Sequence, residues 1–153
     1  ARAEMVVLGP GSWFSSVIPH VLVPEILEAL STTSARKVLV LNLAPEPGET
    51  AGFSAERHLH VLSQHAPDLN VDHVVVDSGS VPAGREREHL DRSAQQFGAT
   101  VVYADVAHNG THTHQADKLG AVFEQLWTDP ASVIVTGAES SDTVNERESA
   151  SWR

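Results

Sequence analysis

The chain has 153 residues, 41% hydrophobic and 20% charged, which is ordinary for one globular domain with a buried core. Its net charge of −10 argues against nucleic acid or an anionic membrane as the main partner, because both attract basic surfaces. The absence of cysteine excludes disulfides and thiolate chemistry. No apolar run reaches the ~18 residues that span a bilayer and no signal peptide is visible, so we expect no membrane insertion and a cytoplasmic location.

Four Val-rich apolar segments without clean alternation predict strands covered on both faces, as in a parallel sheet. They are residues 5–8, 37–43, 71–77 and 100–106. Helical patterns occupy residues 24–30, 54–66, 84–98 and 115–130. Pro24 suits a first helical position, Ser54 an N-cap and Gly98 a helix stop. This alternation predicts an α/β fold with a mainly parallel sheet, right-handed crossovers and helices on both faces.

The end of the chain differs from the rest in composition. The segment SVIVTG from Ser132 fits a short edge strand, and the acidic, apolar-poor remainder predicts a flexible tail. We therefore predict one domain over residues 1–130 and an acidic tail over residues 131–153.

In open parallel sheets, ligands bind beyond the carboxyl ends of the strands, so the loops that follow the strands are candidate sites. The first loop reads GPGSWFSS from Gly9. Backbone N–H groups can converge on an anion from Gly9, Gly11, Ser12 and Trp13, and hydroxyl donors are added by Ser12, Ser15 and Ser16. Pro10 supplies no donor, and the loop is neither a Walker A nor a G-x-G-x-x-G motif. A tight strand-to-helix turn explains the same residues, and the pattern alone favours the turn.

The second loop reads APEPGET from Ala44 and follows a strand that we expect to end near Asn42. An asparagine amide suits a base or a sugar, and two nearby glutamates, Glu46 and Glu49, could form an acid–base pair. Surface glutamates are more often simply solvated, and the turn chemistry favours a turn followed by an N-cap as the explanation of this loop. The candidate ligand contacts of this loop are Asn42, Pro47, Gly48, Glu49 and Thr50.

Three further features carry weaker signals. Asp105 ends the last strand, where a carboxylate either contacts a ligand or caps the next turn. His112 and His114 have zinc-ligand spacing without a convincing third ligand, so we predict no metal site. Residues 85–89, REREH, could supply an arginine to a phosphate, although a salt-bridged helix face is favoured.

Three segments, in order, resemble one family, the putative gluconeogenesis factors, which form the YvcK branch of the YvcK/CofD-like superfamily. VVLGPGSWFSSVIPHVLVPEILEAL resembles its G-P-G-S-L-[YF]-[TS]-S motif, and VLNLAPEPGETAGFSAERHLHVL resembles its P-G-E-T-x-G-[YF] motif. The segment from Ala104 to Gly120 resembles its closing D-[LV]…R-H-D-P-x-K-L-A motif. His20 replaces the family's usual asparagine, and Thr113 stands where many members carry arginine. Trp13 and PEPGET are closest to actinobacterial members.

The resemblance implies a Rossmann-like α/β/α fold that binds a nucleotide sugar, UDP-N-acetylglucosamine, in a cytoplasmic protein that regulates central carbon metabolism, cell-wall synthesis and cell shape without catalysis. The family's N-terminal G-G-G-T-G loop is not in this sequence, so we expect a partial domain, the C-terminal half. Two alternatives stay open: a 2-phospho-L-lactate transferase-like enzyme, as in the sister branch, and an interaction module without a ligand. Homo-oligomerisation also stays open. The ligand-binding residues that we expect are Gly9, Gly11, Ser12, Ser15, Asn42, Pro47, Gly48, Glu49, Thr50 and Asp105.

Overall fold

The structure is a computed structural model that describes residues 3–129. Its strands are β1 (Met5–Leu8), β2 (Arg36–Val40), β3 (His73–Asp77) and β4 (Thr100–Ala104). Its helices are α1 (Ile18–Leu22), α2 (Pro24–Thr32), α3 (Ala55–His65), α4 (Arg85–Gln95) and α5 (Ala116–Thr128), and a π-helical turn (Trp13–Val17) precedes α1. The predicted tail and its edge strand, residues 131–153, lie outside the described residues.

The four strands form one sheet in the order β1-β2-β3-β4, and every pairing is parallel. Two hydrophobic clusters cover its two faces, because alternate strand residues point to opposite sides. Leu39 and Val74 belong to the cluster that includes the buried residues of α1 to α4, whereas Val38 and Val75 belong to the cluster under α5. Since successive strands are neighbours and crossovers share one hand, α2, α3 and α4 lie on the same face. The predicted α/β fold with helices on both faces is confirmed.

The residues that the sequence predicts to start or stop helices lie at the ends of the observed helices. Pro24 is the first residue of α2, and the Ser54 hydroxyl accepts a hydrogen bond from the Arg57 N–H at 3.2 Å. Gly98 adopts a φ of +72° shortly after α4, a conformation that favours glycine.

Several strand boundaries and one helix differ from the sequence prediction. β2 and β4 end about three and two residues earlier than predicted, and β3 begins at His73 instead of residue 71. The apolar run overstates β2 because Leu41 and Leu43 stay buried beyond the last strand residue, where Leu41 still donates a hydrogen bond to the Val75 carbonyl oxygen. The helical residues 13–22 were not predicted as a helix. Their Gly-Pro-Gly-Ser start reads as a turn, and α1 has only five residues, held by the buried side chains of Ile18 and Val21.

Candidate functional site

The first loop is pressed against β2 at Gly9. This residue has a φ of +74°, and a Cβ atom at this position would lie 2.6 Å from the Val40 carbonyl oxygen. Only glycine fits this close approach of two backbones. The close approach of the two backbones therefore fixes the position of the loop independently of its side chains.

Asn42 ties the first loop to the second. Its Oδ1 accepts a hydrogen bond from the Gly11 N–H at 3.0 Å, and its Nδ2 donates to the Gly11 carbonyl oxygen at 2.9 Å. Nδ2 also lies 3.3 Å from Oε1 of Glu46. Both ends of the amide are thus engaged within the protein, so the amide holds the loops together.

Glu49 occupies the anion cradle predicted for the first loop. Its Oε1 accepts a hydrogen bond from the Ser12 hydroxyl at 2.5 Å, and its Oε2 accepts one from the Trp13 N–H at 3.0 Å. The hydroxyls of Ser12 and Ser15 are hydrogen-bonded to each other. The N-terminus of the π-helical turn therefore holds a carboxylate of the protein itself, which is a favourable place for negative charge. We call Gly11, Ser12, Ser15, Asn42, Glu46 and Glu49 the Glu49 network.

The two glutamates of this network have opposite pKa shifts. The Ser12 hydroxyl, with further hydrogen bonds from Glu46 and the first-loop backbone, lowers the pKa of Glu49 below its ordinary value. Hydrogen bonding to Glu49, partial burial and the negative charge of Glu49 raise the pKa of Glu46. As pH falls, Glu46 therefore takes up a proton first while Glu49 stays charged.

The remaining candidates of the second loop shape its turn. Thr50 is fully buried, and its hydroxyl accepts a hydrogen bond from the Glu46 N–H at 2.8 Å. Pro47 and Gly48 form the exposed tip between these residues, with Gly48 at a φ of +81°. The loop is a closed turn that presents Glu49 to the first loop.

Asp105 lies apart from the Glu49 network. Its two carboxylate oxygens accept hydrogen bonds from the Lys118 Nζ at 2.8 and 2.7 Å, and its side chain is 69% exposed. The buried carboxylate at this sheet edge is Asp77, which accepts hydrogen bonds from the N–H groups of Gly79, Ser80 and Val106. Asp77 was not among the candidates from the sequence, although its position resembles that of Asp105. Asp77 is the last residue of β3, and Asp105 directly follows β4.

A cavity of about 630 Å³ opens next to the Glu49 network, between the N-terminal halves of α3 and α4 and beyond the ends of β2 and β3. Its floor is apolar, with Leu41, Leu43, Val76 and Val81, and its polar groups come from both helices. Of the ten candidate ligand residues, Asn42 alone lines it among the described residues. Spacing along the chain gives no signal for this cavity, because its walls come from two helices, α3 and α4, that lie far apart in the sequence.

His58 lines the cavity from α3 and is 5% exposed. Its Nδ1 lies 2.8 Å from the Ser54 carbonyl oxygen and so carries the hydrogen in the neutral ring, which leaves a lone pair on Nε2. Nε2 is buried and has no hydrogen-bond partner within residues 3–129. Burial lowers the pKa of His58, so the ring is neutral at pH 7.

Two arginines of α4 have different surroundings. Arg87 donates to the carbonyl oxygens of Val81 at 3.2 Å and Ser78 at 3.0 Å, and its guanidinium lies 4.3 Å from the centre of the Tyr103 ring. Arg85 lines the cavity and has neither a hydrogen bond nor an ion pair within the part of the chain that the structure describes. The favoured interpretation of REREH as a salt-bridged helix face therefore does not describe these two arginines.

His89 follows Arg85 by one helical turn and also lines the cavity. Its Nδ1 lies 3.7 Å from Oε2 of Glu56 on α3, so the two helices meet at this pair. Glu86 of α4 lines the cavity as well. The rim thus carries both cationic and carboxylate groups.

The described residues contain neither a cluster of metal ligands nor a single helix that could span a membrane. No group of three or more His, Asp or Glu side chains between residues 3 and 129 is arranged to hold a metal ion. Over the same residues no single helix has the length and apolar character to cross a membrane. The segments Trp13–Leu22 and Pro24–Thr32 have this length and apolar character only when they are taken together, and the chain bends by 79° at the break between them.

A parallel α/β sheet whose polar loops and cavity gather beyond the strand ends defines a Rossmann-like domain with its candidate site at that edge. The chain belongs to the CofD family, described as "2-phospho-L-lactate transferase CofD", which it matches over residues 1–119. This confirms the YvcK/CofD-like relationship that the motifs suggested.

The chain is also similar to named proteins and to a solved structure. The chain is 61% identical over 122 residues to the "Putative gluconeogenesis factor" of Mycobacterium tuberculosis, covering 80% of this chain and 36% of that protein. Its identity to the protein of the same name from Mycobacterium leprae is 57% over 122 residues, with coverage of 80% and 34%. A crystal structure of a UPF0052 family protein from Bacillus halodurans has a TM-score of 0.66 at 27% identity, covering 80% of this chain and 43% of that chain. The chain thus spans well under half the length of these relatives.

Proposed function

We propose that this chain forms part of a cytoplasmic regulatory protein that binds a nucleotide sugar, UDP-N-acetylglucosamine, and acts without catalysis on central carbon metabolism, cell-wall synthesis and cell shape. The observation that carries the proposal is the cavity beyond β2 and β3, bordered by the second family motif and lined by Arg85, which has no hydrogen bond or ion pair within residues 3–129. Cavities of a few hundred Å³ with an apolar floor and few polar groups are typical of small-molecule sites.

The predicted residues contribute to this site in two ways. Gly9 and Thr50 shape the backbone of the two loops, and Asn42 and Glu49 lock these loops together beside the cavity. Ser15, Pro47 and Gly48 have exposed side chains or backbone at the same sheet edge, from which they can contact a ligand larger than the cavity. Asp105 lies at the same edge beyond β4, outside the cavity lining, and is the predicted residue that we expect to contribute least.

The hydrogen bonding of Glu49 supports a non-catalytic role. A general base needs a free carboxylate with a pKa near the working pH. Glu49 instead has a lowered pKa and accepts hydrogen bonds from Ser12 and Trp13, which makes it a helix cap.

Calorimetric titration with UDP-N-acetylglucosamine tests the proposal, using the protein expressed from its complete natural coding sequence. We expect saturable binding of the nucleotide sugar and much weaker binding of N-acetylglucosamine. The absence of saturable heat at millimolar nucleotide sugar would overturn the proposal.

The family description favours a second candidate, a transferase of the 2-phospho-L-lactate type, because the match covers residues 1–119. This candidate requires turnover: with a divalent metal, the protein should transfer a phospholactyl group from a nucleotide-activated phospholactate to a hydroxyl of a deazaflavin acceptor, so that a phosphodiester bond forms, the donor's phosphoanhydride bond breaks and a nucleoside monophosphate leaves. Product detected by mass spectrometry above a metal-free control would favour the transferase over the regulator.

A further inference from the structure

We propose that the cavity between α3 and α4 receives the phosphate of the ligand at Arg85, while Glu56 and His58 on the α3 wall accept hydrogen bonds from its hydroxyl or amide groups. This inference rests on the proposed function, because it assigns positions within a nucleotide-sugar site. It moves the phosphate contact away from the glycine-rich first loop, where the sequence pattern had suggested it.

Arg85 is the group in this cavity best suited to hold a phosphate. It is the first residue of α4, whose first turn also carries Glu86 and Glu88, and the N-cap Gly84 offers no side-chain acceptor to that turn. A cation at a helix N-terminus is unfavourable, because the helix dipole is positive at the same end. A phosphate between them would interact favourably with both, and the guanidinium can bind it through two parallel hydrogen bonds. His89, one turn further along the cavity wall, can supply another donor.

The first loop is a poor competitor for the phosphate. The Ser12 hydroxyl and the Trp13 N–H already donate to Glu49. The Glu49 carboxylate is charged at pH 7, since its pKa is lowered. A phosphate placed there would have to displace a carboxylate or lie beside it, which like-charge repulsion opposes.

The other cavity groups indicate a ligand that carries more than a phosphate. Glu56 and Glu86 would repel a bare anion but can accept hydrogen bonds from sugar hydroxyls. His58 is 5% exposed, and its Nε2 is buried without a hydrogen-bond partner within residues 3–129, so this acceptor becomes available to a ligand when the side chains around it shift. The apolar floor can pack against the face of a sugar ring or a base. This combination fits a phosphorylated sugar better than inorganic phosphate.

The test compares Arg85→Ala with Arg92→Ala in the complete natural protein, by calorimetric titration with UDP-N-acetylglucosamine. Arg92 lies on the same helix, is exposed, and donates to the Glu88 carbonyl oxygen away from the cavity, so the two variants remove the same charge. We expect Arg85→Ala to raise Kd by about tenfold or more, because a hydrogen bond to a charged group is lost. Arg92→Ala should leave Kd within about twofold.

Two further measurements separate charge from geometry. Arg85→Lys keeps the charge without the bidentate fork, so its Kd should fall between those of wild type and Arg85→Ala. Glu56→Ala should raise Kd several-fold for the nucleotide sugar, because it removes an acceptor for sugar hydroxyls, and should not raise Kd for inorganic phosphate, because it also removes a carboxylate that repels the bare anion. Thermal unfolding of each variant checks that the fold is retained.

The outcomes distinguish this inference from the proposed function. If wild type binds UDP-N-acetylglucosamine and Arg85→Ala binds it equally well, the cavity assignment is wrong and the proposed function stands. If wild type binds neither UDP-N-acetylglucosamine nor other phosphorylated sugars, both are wrong. If wild type binds another phosphorylated sugar in an Arg85-dependent way, the cavity assignment stands and the named ligand is wrong.

Discussion

The Glu49 network and the cavity lie side by side at one edge of the sheet, and Asn42 belongs to both, yet their polar groups are used differently. In the network, the Asn42 amide, the Ser12 hydroxyl and the Glu49 carboxylate all have partners within the protein. In the cavity, Arg85 and the Nε2 atom of His58 have none within residues 3–129.

This difference separates two roles that sequence motifs do not distinguish. A polar group with a partner in the fold stabilises the fold, and a ligand can use it only by breaking that interaction. A polar group that lines a cavity without a partner can bind a ligand at little structural cost. Variants of the network should therefore change stability first, whereas variants of the cavity should change binding first.

The largest effect that we expect comes from Gly9→Ala at the base of the network. The new Cβ would lie 2.6 Å from the Val40 carbonyl oxygen, at a φ of +74°. We expect a loss of about 3 kcal/mol in the free energy of unfolding, from strain and overlap together. Gly52→Ala is the matched control, since Gly52 has a φ of +76° but no heavy atom within 4 Å of a new Cβ. Denaturant unfolding should show a smaller loss for the control, and equal losses would contradict the close approach.

Arg85 and Arg87 of α4 give the most direct test of the comparison. Arg87→Ala removes two hydrogen bonds to the loop after β3 and the contact with Tyr103, so we expect a loss of about 2 kcal/mol in the free energy of unfolding. Arg85→Ala removes no hydrogen bond or ion pair within the described residues and should change stability by less than about 0.5 kcal/mol. Chemical denaturation of both variants measures this difference. A larger loss for Arg85→Ala would show that the cavity arginine is structural.

Glu49→Gln tests whether the network depends on charge. The folded protein lowers the pKa of Glu49, so its contribution to stability is present above the unfolded pKa and is lost as pH falls through the folded value. The raised pKa of Glu46 has the opposite sign: its contribution is present at low pH and lost as pH rises through the folded value. We expect Glu49→Gln to lower Tm by several degrees at pH 7 and by less near pH 4. A loss that does not change with pH would contradict the role of the charge.

The fold was largely predictable from the sequence, because its signals are local. Val-rich segments gave the strands, Ser54 marked the start of α3, and Pro24 that of α2. The contact between Glu49 and Ser12 was not predictable, since these residues are 37 positions apart and meet only because the sheet brings their loops together. For the same reason REREH could not show that Arg87 packs on Tyr103 while Arg85 faces the cavity. Local patterns identify chemistry-bearing residues, and the packing decides which of them are left unpaired.

Asp105→Asn should have the smallest effect and marks where the site ends. Its carboxylate is 69% exposed and pairs with Lys118, which also donates to the Ala107 carbonyl oxygen at 2.9 Å. An exposed ion pair contributes about 0.5 kcal/mol and less at high salt, so stability should barely change. Because Asp105 lies beyond β4 and outside the cavity lining, we also expect Kd for the nucleotide sugar to stay within about twofold. A clear loss of binding with unchanged stability would extend the site from the cavity across β3 to β4, with Asp105 as a direct ligand contact.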